Sequence, residues 1–80
     1  MKIPAIKQLV ENYPIEDLRA AEEALAEEQT PAIEIPGDDE GEQLTHAFAA
    51  IYILEKINDE GMDFKAALRD YTSKVRTSIS

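Results

Sequence analysis

Residues 40–60 read EGEQLTHAFAAIYILEKINDE, and the placement of apolar side chains in this stretch decides the fold. At 100° per residue, Leu44, Ala47, Phe48, Ile51 and Leu54 fall on one stripe of a helix. His46, Ala50, Ile53 and Ile57 fall on a second stripe, centred about 130° from the first. Only Thr45, Lys56, Asp59 and Glu60 clearly favour water. A helix apolar nearly all round is a buried one; three short partner helices could cover both stripes in a monomer, but a second copy would do it more easily. The ends of the helix are marked. Asp39 is of N-cap type, Glu42 three residues later completes a capping-box-like pattern, and Gly61 stops the helix.

Working outward, three more helices are legible. Roughly from Pro4 to Tyr13, Ile3, Ile6, Leu9, Val10 and Tyr13 recur at three- and four-residue spacing, with Pro4 tolerated in the opening turn. Pro14 breaks that helix and starts the next, which runs to about Gln29 with Ile15, Leu18, Ala21 and Leu25 as its apolar stripe. Glu16 and Asp17 suit the positive end of its dipole, and Glu16, Glu23 and Glu27 fall on the face away from the stripe. Asp63 caps a fourth helix from Phe64 to about Ile79, striped by Phe64, Leu68, Tyr71, Val75 and Ile79. Between the second and third helices, residues 30–37 (TPAIEIPG) carry two prolines and the alternation Ile33–Glu34–Ile35, which predicts an extended segment. One strand cannot stand alone. It either lies across the helices, the preferred reading, or pairs with a copy of itself. The expected fold is therefore all-α: a small bundle of four helices with one short extended segment over residues 30–37, in a single domain spanning residues 1–80.

Composition narrows the function classes. The 80 residues include no cysteine, which removes disulfides, thiolate metal sites and thiol chemistry. With 17 acids and 8 bases the net charge is −9, which argues against nucleic acid as a partner because phosphate contacts need a positive field. The longest apolar run, residues 47–54, is far short of the roughly 20 residues that span a membrane. Pro4 and Gln8 interrupt the opening stretch, so no secretory signal is read there. A cytoplasmic protein without membrane contact is expected.

The charge is segregated. Residues 11–42 hold 12 acids and one base, a net of −11, whereas residues 63–80 hold four bases and two acids, a net of +2. Lys65, Arg69 and Arg76 share one side of the fourth helix. Either they face the acidic second helix, within the chain or across a dimer, or they form a small basic docking surface.

Chemistry-bearing residues gather in one turn: Asp38, Asp39, Glu40, Glu42 and His46. The preferred reading is a helix start, in which the acids favour the dipole, Asp39 and Glu42 satisfy free N–H groups, and Glu42 holds His46 one turn on. A recognition turn for a basic partner is the next reading. A metal held by Glu42 and His46 is the third, with a zinc-protease helix, an EF-hand and a di-metal bundle all failing on spacing. No cofactor is expected. Enzyme chemistry finds no support: Ser73, Ser78 and Ser80 stand far from His46, and Gly37, Gly41 and Gly61 form no phosphate loop.

The two stripes of the central helix also predict a homodimer, seamed by His46, Ala50, Ile53 and Ile57, since a second copy would cover the second stripe and the chain's own core is thin. The runs KIPAIKQLVENY, IEIPGDDEGEQLTH and DFKAALRDYTSKVR together resemble a family of short acidic bacterial proteins without an assigned function. The resemblance covers nearly the whole chain and implies a self-contained domain, and it brings no activity, cofactor or site residue. The expected role is that of a small acidic self-associating helical protein, a structural or protein-interaction module that docks on its own copy and on another protein. The alternative is a small-ligand or metal-binding regulator with a site near Glu42 and His46 at the dimer seam. Mimicry of nucleic acid, resting only on the acidic segment, stands last.

Overall fold

Four helices, α1 (Ile3–Asn12), α2 (Ile15–Ala26), α3 (Glu40–Glu60) and α4 (Phe64–Ile79), build an all-α bundle in a computed structural model that describes residues 2–79, with side chains from Lys2 through Lys74. α3 has the bounds its sequence predicts, and it forms the main interface with each of the other three helices. His46, Ala47, Ala49, Ala50 and Ile53 have no exposed surface, and Ile51 has almost none. The three alanines let neighbouring backbones approach α3 closely, so short helices suffice to enclose it.

That closure corrects the expected dimer seam. His46, Ala50 and Ile53 are fully buried within a single chain, and Ile57 is half-buried against the same core. Three of the four seam residues are therefore interior, which leaves only Ile57 partly accessible to a second copy. The departure from burial lies on the first stripe, where Phe48 is 53% exposed. Ile3, expected to face the core from α1, is also exposed.

The segment before α3 lies across the helices, and no strand forms among the described residues. Ile35 is buried and Ile33 half-buried, so the alternation is used to place apolar side chains and not to pair a sheet edge. Gly37 lets the chain enter α3, because a Cβ there would meet the Gln43 Cγ at 2.7 Å and the Gln43 amide nitrogen at 2.8 Å. At the far end Gly61 adopts the left-handed conformation (φ 67°) and its N–H donates to the Ile57 carbonyl.

α2 ends at Ala26, three residues before the expected Gln29. The Gln29 N–H donates to the Ala24 carbonyl at 2.7 Å and the Glu28 N–H to the Leu25 carbonyl at 3.1 Å, the two bonds of a Schellman closure. Its left-handed position is held by Glu28 (φ 60°) where glycine is usual. Left-handed backbone costs a non-glycine residue about 1 to 2 kcal/mol, offset in part by the chain entropy that glycine loses. Glu28→Gly is therefore expected to stabilise the fold by about 0.5 to 1 kcal/mol, read as a rise of a few degrees in thermal midpoint. A lower midpoint would show that the Glu28 side chain contributes more than its backbone costs.

α4 begins as predicted, with the Ala66 N–H donating to Asp63 Oδ1 at 2.8 Å. Tyr71 and Ala67 are buried and Phe64 and Leu68 half-buried. The side chains of Val75, Arg76 and Ile79, counted in the predicted faces, lie outside the described residues, as do those of Ser78 and Ser80. A polar clamp holds α4 on α3. Tyr52 Oη donates to Asp70 Oδ2 at 2.6 Å, its ring lies 5.4 Å from that of Tyr71, and the Lys56 and Lys74 ammonium groups each stand 5.6 Å from the Tyr52 ring centre. Lys56 also donates to Glu60 at 2.6 Å, which holds its pKa above the usual lysine value.

Burial raises the pKa of Tyr71 above that of a free tyrosine. Folding thus favours the neutral phenol. The stability this carries is complete below the unfolded value of about 10 and is lost as pH rises through the folded one. The thermal midpoint should be level from neutral pH to about pH 9 and fall above about pH 10, and Tyr71→Phe should flatten part of that fall. An unchanged alkaline slope in Tyr71→Phe would assign it to other groups.

No ion pair joins the basic side of α4 to α2 among the described residues. α2 and α4 each pack on α3, and the described ion pair of α2 is Arg19–Glu55 at 3.3 Å, to α3. Among the described residues neither Lys65 nor Arg69 pairs with a carboxylate.

Candidate functional site

The turn that leads into α3 gathers the four acidic candidates, Asp38, Asp39, Glu40 and Glu42, and hydrogen bonds account for most of them. Glu42 N–H donates to Asp39 Oδ1 at 2.7 Å, so Asp39 is the N-cap. The reciprocal bond runs from the Asp38 N–H to Glu42 Oε1 at 2.9 Å, one residue earlier than a standard capping box. Asp38 pairs loosely with the Lys2 ammonium at 3.6 Å, both side chains being well exposed. Glu40 is exposed in the first turn, where its charge favours the helix dipole. Asp39→Ala should cost about 0.5 to 2 kcal/mol, with faster amide exchange confined to the first turn of α3. Loss of protection throughout α3 would give the turn a larger role than capping.

His46 lies apart from these acids, contrary to the expectation that Glu42 holds it. Glu42 is engaged with the Asp38 N–H, because a free amide just before the helix competes for its carboxylate. His46 is completely buried and its ring bridges two distant segments. Nδ1–H donates to the Pro36 carbonyl at 2.8 Å, and Nε2 accepts the Lys2 N–H at 2.9 Å. One nitrogen donates and the other accepts, so the geometry defines a neutral ring with its proton on Nδ1. Gln43 adds a parallel tie, its Nε2 donating to the Ile35 carbonyl at 3.0 Å. The extended segment and the start of α1 are thus fastened to α3 by side-chain-to-backbone bonds.

This arrangement does not build a metal centre. A histidine coordinates through a ring nitrogen lone pair, and the one such pair on His46 is occupied by the Lys2 N–H. Among the described residues no three His, Asp or Glu side chains converge on a common point. The shallow groove of about 350 Å³ beside the turn is lined mainly by residues 30–35 and Gln43, with Glu34 as its one charged side chain.

Comparison with protein families matches residues 1–80 to DUF6952, a family of unknown function. The chain belongs to that family. No curated protein and no solved structure matches it. Membership brings no assigned activity, so the function of this family member has to be read from its surface and its interior.

Sequence reasoning missed three features. The partners of His46 are backbone atoms 10 and 44 residues away, which no side-chain pattern reveals. The Tyr52–Asp70 bond joins two helices across 18 residues, although tyrosine and aspartate on facing helices are a usable signal once the α3–α4 pairing is assumed. The exposure of Phe48 follows only from where the covering helices stop.

Proposed function

We propose that this chain is a protein-interaction module that self-associates and acts through its charged surface, with no catalytic chemistry of its own. The observation that carries this reading is the outward, unpaired charge on two helices. Glu16 and Glu23 of α2, Glu27 at its C-cap, and Lys65 and Arg69 of α4 are all exposed, and none makes an ion pair among the described residues. The interior is closed by comparison, for every buried side-chain polar atom among the described residues has a partner. Exposed charges unused by the fold are what steers and aligns a complementary surface. No helix of the described residues is long and apolar enough to cross a membrane.

The alternative, a small-ligand or metal-binding regulator centred on Glu42 and His46, loses support on donor availability: Glu42 caps, His46 bridges, and three of the four residues of the seam that would join two copies of the site are interior. Affinity capture from native cells tests the module reading, with the wild-type chain and a Lys65→Glu/Arg69→Glu chain as baits. The wild type should retain further copies of itself and a discrete protein set that the reversed variant does not. Identical captures from both baits would overturn the charged-surface reading.

A further inference from the structure

We infer that the second copy docks head to tail, with α2 of one chain lying antiparallel along α4 of the next. This rests on the reading of the chain as a self-associating module and names the surface that does it. On α2 the side away from buried Leu18, Ala21 and Leu25 presents Glu16, Ala20, Glu23 and Glu27 as a single exposed stripe. On α4 the side away from buried Ala67 and Tyr71 presents Lys65 and Arg69, which with Asp63 and Ala66 line a shallow groove of about 240 Å³. Asp63 keeps its charge in this groove, with one oxygen accepting the Ala66 N–H, and the two bases outnumber it.

The two rows match in spacing. Glu23 and Glu27 are four residues apart, as are Lys65 and Arg69, and four residues rise about 6 Å along a helix. Antiparallel alignment places Glu27 against Lys65 and Glu23 against Arg69. The sequence extends the match, for Glu16 precedes Glu23 by seven positions and Arg76 follows Arg69 by seven. A parallel alignment loses the middle pair. Ala20 and Ala66 are the exposed small residues within the two rows, and neither holds the helices apart.

Charge complementarity commits the surface to a second copy. Within one chain no ion pair joins the two rows among the described residues, and each lies on the side of its helix away from that helix's buried residues. Each copy carries one of each, so the contact repeats. Head-to-tail contacts close into a ring where the rotation allows and otherwise extend as a filament. The contact must work against the repulsion of chains that each carry −9. That repulsion acts at long range, whereas the paired rows act at contact. Screening lengths of about 30 Å at 0.01 M salt, 8 Å at 0.15 M and 3 Å at 1 M then separate the two. Association should be strongest at intermediate salt and weaken on either side.

Sedimentation velocity over a protein series up to about 1 mM tests this at those three salt concentrations. The weight-average mass should exceed 8.9 kDa at about 0.15 M and fall toward it at both extremes. Lys65→Glu/Arg69→Glu and Glu23→Lys/Glu27→Lys should each associate at least about tenfold more weakly, and an equimolar mixture of the two should recover the loss. All four positions are exposed, so both variants should fold, and circular dichroism checks that they do. Wild-type association that both variants share, or that rises steadily to 1 M salt, overturns the α2–α4 contact while leaving self-association standing. A wild type that sediments as a monomer at every salt overturns both. The wild-type salt profile decides without any variant.

Discussion

Ile53→Glu should leave the chain unfolded in water, with a far-ultraviolet circular dichroism spectrum lacking the helical signal and no cooperative melt. Ile53 has no exposed surface and sits within the cluster formed by Ile6, Leu9, Leu18, Ile35 and the alanines of α3. Glutamate there forfeits about 1.5 to 3 kcal/mol of apolar burial. It also places a carboxyl group in the apolar core, at a further cost of several kcal/mol whether it stays charged or takes up a proton. An 80-residue domain has only about 4 to 12 kcal/mol of stability in total, so the two losses together exhaust it. The milder Ile53→Ala should fold with a loss of about 2 to 5 kcal/mol, measured by urea titration. The seam that the sequence suggested leads to the opposite result, since Ile53→Glu on an interface would give a soluble, folded monomer. Recovery of such a monomer would show that the second stripe is surface and the present placement wrong.

What could be read in advance follows from where each signal resides. α3 was legible to the residue because both its ends carry local chemistry, Asp39 with Glu42 at one and Gly61 at the other. The end of α2 was not, because Glu28 occupies a left-handed position that sequence rules reserve for glycine or asparagine. Counting stripes identified α3 as a buried helix. It could not say what buries it, because coverage depends on how closely α1, α2 and α4 approach, and the small side chains of Ala47, Ala49 and Ala50 set that distance. The candidate turn divides the same way. Capping by Asp39 is a contact over three residues and was anticipated, whereas His46 takes backbone partners from two other segments that leave no mark in composition or period. The charge segregation was visible as arithmetic, but that Lys65 and Arg69 meet no carboxylate among the described residues is a property of the packing.

The second large effect belongs to His46. His46→Ala should cost about 3 to 5 kcal/mol, against a change within about 0.5 kcal/mol for the exposed Glu23→Ala. Removing the ring opens a cavity in the core and orphans two backbone groups at once, the Pro36 carbonyl and the Lys2 N–H. Each orphan costs about 1 to 3 kcal/mol where water is kept out, and less at Lys2, which lies at the surface. The loss should also be regional. Amide exchange should accelerate at the start of α1 and across residues 30–37 more than in α4, because those are the segments the ring fastens. Packing and hydrogen bonding separate in two further variants. His46→Leu refills the space with an apolar group and leaves both orphans, whereas His46→Gln carries one acceptor and one donor that reach the same two partners. Gln should therefore recover more stability than Leu, despite being the poorer core residue. Equal losses from the two would assign the effect to packing alone. A chelator should leave the wild-type midpoint unmoved, since the Nε2 lone pair that a metal would need already accepts the Lys2 N–H. A drop in midpoint on chelation would mean that this bond gives way to a metal in solution, and would return the turn before α3 to the ligand-binding reading.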